Sequence, residues 1–279
     1  MIKHNKNLRG VSTPVAIIVA GILVAAAVLY SNNQLPFLTN KNTNNADNGG
    51  NDSKDAAEFE GPYGKYATLA KSVGLDGDKL NECVAKMDDA EVKNDANEAQ
   101  SLGAGGTPAF FIGRDSGDGT MNAISIFGAY PLESFEAVIE AFKADDEAKV
   151  LAAVNEIATL GQQPEITDLS TAYSKVTLGD DAVKGNKDAK VVIVEFSDYE
   201  CPFCQRHFKE VYPALSSKYI ETGEVKMVFK DLPLSFHDPI ATQAAVAANC
   251  AREQGGDEGY YKFHDAYFTS TQTNGKGLL

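Results

Sequence analysis

The 279-residue sequence has four cysteines, and two of them form a single Cys-x-x-Cys, Cys201-Pro202-Phe203-Cys204. Disulfide exchange needs an accessible, stable thiolate and a second thiol close enough to resolve the mixed disulfide. A Cys-x-x-Cys at the start of a helix supplies both. The first sulfur meets free backbone N–H groups and the positive end of the helix dipole, which favour its anion, and the second lies one turn further on. Here the motif directly follows residues 190–196 (KVVIVEF), a β-branched run that reads as a buried parallel strand. Pro202 suits a first helical turn, where its missing N–H costs nothing. Strand, CPFC, helix is a much stronger signal than the bare motif.

Other chemistries fit less well. Haem attachment needs His directly after the second Cys, and Gln205 stands there. Zinc needs two further ligands; Cys83, Cys250 and His207 are the candidates, and no second close pair exists. A purely structural CxxC disulfide closes so tight a loop that it is a poor staple. Asp115, Asp118 and Gly119 faintly suggest a calcium loop, without the EF-hand spacing or its closing Glu. No metal and no cofactor are therefore expected. The net charge of −14 argues against nucleic acid, whose binders cluster Lys and Arg. An acidic body suits solubility and basic or unfolded clients.

Residues 11–30 (VSTPVAIIVAGILVAAAVLY) carry no charged side chain. A helix of that length spans about 30 Å, the thickness of a bilayer's hydrocarbon. Lys3, Lys6 and Arg9 precede it and the next basic residue is Lys41, so the N-terminus is expected inside and the body outside. A cleaved signal peptide ending near Ala25, Ala26 and Ala27 is the rival reading, and it too exports the body. The expected location is the cell membrane, single-pass, with an extracytoplasmic body. Outside the cytoplasm, paired cysteines tend to be disulfides or redox pairs.

The elements around the motif follow from periodicity and breakers. Residues 31–57 are rich in Asn, Asp, Ser and Gly and read as a flexible tether. Tyr66, Leu69, Ala70 and Val73 recur at helical spacing, and Leu80, Cys83, Val84 and Met87 resume it after Gly74. Residues 103–108 break the pattern, then strands near 109–112 and 123–127 flank a Gly/Asp turn as a hairpin. Leu132, Phe135, Val138, Ile139 and Phe142 mark an amphipathic helix, and 148–160 another. Residues 161–189 read as a connector. Beyond the motif, a helix is expected from 201 to about 219, a strand at 225–229 and helix from 240 to 268.

The segment VVIVEFSDYECPFCQRHF resembles the active-site region of the DsbA-like branch of thioredoxin-fold proteins, and GTPAFFIG resembles that family's cis-proline loop. IATQAAVAANCAREQGGDEGYYKFHDAYF and YATLAKSVGLDGDKLNECV resemble parts of the helical domain that this family inserts. The resemblance covers roughly residues 58–143 and 176–279. It implies an α/β thioredoxin fold with an inserted helical domain, preceded by one transmembrane helix. The chain then divides into a cytoplasmic N-terminus (1–10), an anchor (11–30), a linker (31–57) and the domain (58–279). That domain comprises a cis-Pro half (58–143), a connector (144–189) and a CxxC half (190–279).

The resemblance also implies roles. Cys201 attacks and Cys204 resolves. Pro108, cis and preceded by Thr107, faces the disulfide, holds substrate backbone and keeps metals from the thiols. Glu195, six residues before Cys201, is a buried acid that moves the proton during exchange, unless it is merely a strand-end carboxylate. Phe203 stands where strongly oxidising members carry His, which should raise the thiol pKa and weaken the oxidising bias. His207 reads as a solvated helix residue. Cys83 and Cys250 both fall in the helical insertion and are expected to form a structural disulfide, the alternative being two separate buried thiols.

One departure is large: in the family the CxxC strand precedes the cis-proline strand, whereas here Pro108 precedes Cys201. Neither half repeats the other. A circular permutation accounts for this, with the break inside the helical insertion, residues 144–189 bridging the old ends, and Leu279 near residues 56–66. A domain-swapped dimer or an inactive rearranged fragment are the alternatives. The expected function is a membrane-anchored thiol–disulfide oxidoreductase with no cofactor beyond its own dithiol. Its expected partners are cysteine-containing exported proteins and a membrane redox recycling partner. The direction of electron flow is left open. The rivals are a non-catalytic thioredoxin-fold module that binds unfolded chains or a membrane partner, and a metal carrier with a third protein ligand at the CxxC.

Overall fold

The computed structural model describes residues 61–279 apart from Gln162 and Pro164. The expected N-terminus, transmembrane helix and linker lie outside the described residues. Within them, no helix is long and apolar enough to cross a membrane. Three helices come first: α1 (Gly64–Ser72), α2 (Gly77–Val84) and α3 (Ala90–Ser101). Asp76 caps α2 by accepting from the Lys79 N–H, satisfying one of the donors a helix start leaves free. β1 (Ala109–Asp115) and β2 (Thr120–Phe127) pair as an antiparallel hairpin. Then follow α4 (Leu132–Lys143) and α5 (Glu147–Leu160), β3 (Tyr173–Thr177), β4 (Val183–Gly185) and β5 (Val191–Ser197). The chain continues through α6 (Pro202–Glu210), α7 (Tyr212–Leu215), β6 (Val225–Asp231) and α8 (Ile240–Ser270).

The strands make one six-stranded sheet in the order β3-β2-β1-β5-β6-β4. β5 is parallel to β6 but antiparallel to β1, so the expected parallel strand is parallel on one side only. Strand alternation sends Phe110, Ile112, Ile124, Ile126 and Ile193 to one face, packed with α4 and α5. Phe111, Met121, Val192, Val194 and Val228 go to the other, packed with α3. A third apolar cluster joins Met227 and Phe229 of β6 to α1, α2 and α8.

Three sequence expectations need correction. Residues 161–189 are more than a connector, because β3 pairs with β2 and β4 with β6, supplying both sheet edges. Only Val176 of β3 is buried, so no apolar alternation announced it. The helix from Cys201 does not run unbroken: it stops at Glu210, and Tyr212 starts α7. Pro213 has no N–H to bond back four residues, which explains the break. The last long helix is interrupted at Gly256, whose φ of 62° lies where glycine is free to go.

Buried charge fastens α3 to the sheet. Lys230 of β6, only 3% exposed, lies 3.0 Å from Asp95, 3.0 Å from Glu98 and 2.6 Å from Asp181. Burial alone would lower its pKa, but Asp95 and Asp181 outweigh that and raise it. Asp95 also accepts from the Asp231 N–H at 2.9 Å. The Lys65 ammonium donates to the Leu278 carbonyl at 2.9 Å, so the C-terminal residues lie against α1.

Cys83 of α2 and Cys250 of α8 are disulfide-bonded with their Cα atoms 5.9 Å apart, across a sequence separation of 167. Closing so long a loop restricts the unfolded chain strongly. Replacing both with Ser should lower the unfolding free energy by about 2–5 kcal/mol. Urea denaturation of the two forms under otherwise equal conditions measures the difference.

Candidate functional site

The register of β1 on β5 assembles the site. Ala109 pairs with Phe196, so Thr107 and Pro108, just before β1, lie at the end of β5 where the chain enters CPFC. The Thr107–Pro108 peptide is cis, and the Cys201 thiol lies 3.5 Å from the Thr107 carbonyl oxygen. Residues separated by 94 positions are thereby brought into contact.

Cys201 occupies the N-cap of α6, with extended backbone (φ −77°, ψ 123°), and Pro202 fills the first turn. Both thiols are free and buried, Cys201 3% and Cys204 1% exposed. Their environments act in opposite senses. The Cys201 thiol is pushed down to about 6, chiefly by a hydrogen bond from Cys204, helped by Thr107 and the N–H groups of Cys204 and Phe203, against burial. The Cys204 thiol is pushed well up, by burial first and then by its neighbour Cys201.

Glu195, near the end of β5, is 3% exposed. It shares the β5 face of Ile193, the face on which Phe110 of β1 touches His207 of α6. Burial pushes its carboxyl up to about 8, while Ser197 pulls the other way. His207 corrects another expectation. It is not solvated but 2% exposed, packed between Phe110 and Phe135 with ring centroids 4.5 and 5.1 Å away. Burial pushes its pKa down to about 3, so the ring is neutral. Asp115 and Asp118 are engaged by protein groups: Asp115 accepts from Lys226 and the Gly117 N–H, Asp118 from Thr120. Among the described residues no group of three His, Cys, Asp or Glu is placed to hold a metal ion.

Sequence reasoning missed the groups that hold the loop between β5 and α6. Asp198 accepts from the Glu200 N–H at 2.7 Å and the Leu234 N–H at 2.8 Å, and meets His237 Nδ1 at 2.7 Å. It also receives the Cys201 N–H on its carbonyl at 3.0 Å. Glu200, fully buried, accepts from the Tyr267 and Thr271 hydroxyls and from the Gly277 N–H. The run of acids just before Cys201 (SDYEC) was the available signal, since buried carboxylates demand partners. Ser197, at alternation distance from Glu195, was likewise overlooked. Phe203, within the motif, is 54% exposed, and Phe236, next to His237, 74%.

Residues 177–278 match the family model described as Thioredoxin. Over 108 residues the chain is 35% identical to Na(+)/H(+) antiporter NhaA 3 of Salinispora tropica, covering 39% of this chain and 15% of that protein. Over 86 residues it is 33% identical to disulfide bond formation protein D of Bacillus subtilis, covering 31% of this chain and 37% of that one. Among solved structures, DsbA2 of Pseudomonas aeruginosa is 33% identical over 35% of this chain and 52% of its own, with a TM-score of 0.32. The chain therefore spans only 15% and 37% of the length of these two curated relatives.

Two titrations follow from this geometry. The ultraviolet absorbance of the Cys201 thiolate should rise through a midpoint at about pH 6 and be lost in Cys201→Ser. For Glu195 the folded pKa, about 8, stands above the ordinary 4.5. The folded state thus holds an extra proton, and this contribution to stability is full below about pH 4.5 and lost as pH rises through about 8. Glu195→Gln, neutral throughout, should match the natural protein at about pH 4 and be more stable by up to a few kcal/mol at about pH 9. Urea unfolding at both pH values checks the sign.

Proposed function

We propose that this chain, whose residues 177–278 match the family model described as Thioredoxin, is a DsbA-like thiol–disulfide oxidoreductase acting on exported proteins through Cys201 and Cys204. The observation that carries this reading is the Cys201 thiol 3.5 Å from the carbonyl oxygen of Thr107, beside the cis Pro108. A module that only bound unfolded chains would have no need to bring these residues together. A metal carrier would need a third ligand.

In the donating direction, a client thiolate attacks the Cys201 sulfur of the Cys201–Cys204 disulfide. Cys204 leaves as a thiolate, and a mixed disulfide joins client to Cys201. The client's second thiolate then attacks its own bound sulfur and expels the Cys201 thiolate. Two electrons have passed to the protein dithiol, and the client has gained a disulfide. Because Cys201 is held near 6, it is a good leaving group and its reduced form is favoured, which inclines the couple toward donation despite Phe203 in place of a cation. Thr107 and Pro108 hold the client backbone beside the sulfur, with Phe203 and Phe236 offering apolar contacts at the rim.

Residues 11–30 anchor the chain as a single-pass helix with its N-terminus inside, and residues 31–57 tether the body outside. A membrane redox recycling partner would reoxidise the dithiol. The domain is a circularly permuted thioredoxin fold broken within its helical insertion. The contact of Lys65 with Leu278 and the β1–β5 pairing support that reading.

A redox titration of residues 57–279 in glutathione buffers tests the proposal. A single two-electron transition that disappears in Cys201→Ser is the expected result, and about 30 mV of midpoint changes the exchange equilibrium tenfold. In Cys204→Ser the mixed disulfide with a client should accumulate, visible on a non-reducing gel. A folded protein with no transition at Cys201 overturns the proposal.

A further inference from the structure

We propose that the Ser197 hydroxyl relays the proton between Cys204 and Glu195 during exchange, an inference that rests on the activity proposed above and deepens it. Glu195 and Ser197 alternate along β5, opposite Phe229 and Asp231 of β6, so both side chains leave the same face of the sheet. Two residues of strand advance roughly 7 Å, and that advance carries Ser197 from Glu195 toward the CPFC end. Ser197 is 1% exposed, yet its Oγ has no hydrogen-bond partner among the described residues. A buried hydroxyl left unpaired is costly, so its retention calls for a reason.

The reason lies in its two neighbours. Burial raises both Glu195 and Cys204, and Ser197 is the hydroxyl that opposes burial at each, favouring the charged form of both. In the resting dithiol both neighbours are neutral and neither claims the hydroxyl. During turnover one of them becomes an anion. A hydroxyl can donate to either and accept from the other, which a fixed donor cannot do. The other titratable groups facing this trio are the Cys201 thiol, Tyr212 of α7, Tyr261 of α8 and Asp231 of β6. Burial pushes the last three upward, which disfavours their charged forms.

The step balances as follows. Once Glu195 has ionised, as its pKa of about 8 allows toward alkaline pH, Cys204 passes its S–H proton to the Ser197 oxygen as the Ser197 O–H proton moves to the Glu195 carboxylate. The Cys204 thiolate then attacks Cys201 in the mixed disulfide, forming the Cys201–Cys204 bond and breaking the bond to the client sulfur. The client leaves as a thiolate with the electron pair, reduced, while the protein dithiol is oxidised. In the donating direction the same path runs backward, and neutral Glu195 returns a proton to the departing Cys204 thiolate.

The test is single-turnover exchange of the full chain with oxidised and reduced glutathione across pH, for the natural protein, Ser197→Ala, Ser197→Thr, Glu195→Gln and the double variant Ser197→Ala/Glu195→Gln. In Ser197→Ala the steps that make or consume the Cys204 thiolate should slow by roughly tenfold or more, and the inflection near 8 should vanish. Ser197→Thr should restore both. The double variant should be no slower than the slower single one, as for two members of one relay. A natural rate and inflection in Ser197→Ala, or single effects that multiply in the double variant, would overturn the relay. If Ser197→Ala does not fold, Ser197→Thr against Ser197→Val, alike in shape and differing in the hydroxyl, gives the same contrast. Absence of exchange in the natural protein would instead remove the activity itself, a distinct failure.

Discussion

The pairing of β1 with β5 is the constraint on which everything else depends. It joins chain segments more than seventy residues apart, and its register puts Ala109 opposite Phe196. A slip of one residue would exchange the two faces of β1, sending Phe110 and Ile112 into the α3 layer and Phe111 toward α4. It would also carry the Thr107 carbonyl away from the Cys201 sulfur. The apolar alternation that fills two separate cores therefore positions the site as well. Packing on both faces resists the slip, and the hairpin partner β2 resists it again through seven paired positions.

Two thiols three residues apart are given opposite characters by burial and direction alone. Cys201 looks at backbone N–H groups and a hydroxyl, and Cys204 at apolar side chains and a neutral acid. Each sulfur has a buried hydroxyl beside it that lacks a hydrogen-bond partner among the described residues, Thr107 for the first and Ser197 for the second. Hydroxyls stabilise charge when it arrives and demand little when it is absent. A lysine or arginine in either place would hold a thiolate permanently and tilt the couple to one side.

Much of this was legible in the amino-acid order. The strand before CPFC, the 109–127 hairpin and the amphipathic helices from Leu132 onward carry strong periodic patterns, because their burial is strong and one-sided. β3 and β4 are edge strands with a single well-buried position between them, so composition hid them. The break after Glu210 was readable from Pro213 and was passed over. His207 was misjudged because a helix position tells nothing of what lies above it, and here two phenylalanines from distant segments enclose it. The acids at 198 and 200 read as polar punctuation. Only the folded chain shows that their partners come from Leu234, His237, Tyr267 and Gly277.

The anchoring of Glu200 by residues beyond α8 has a temporal meaning. Synthesis is vectorial, and at about 5–20 residues per second the cis-proline loop emerges several seconds before its thiols. CPFC then emerges several seconds before Thr271 and Gly277, which complete the shell of the carboxylate beside Cys201. Until they arrive, Glu200 has strong reason to stay in water, and the turn before Cys201 lacks its support. The order of the elements thus delays the finished dithiol until nearly the whole domain has been synthesised. A nascent chain carrying Cys83 is in this way spared a reactive neighbour of its own making while it is still unfolded.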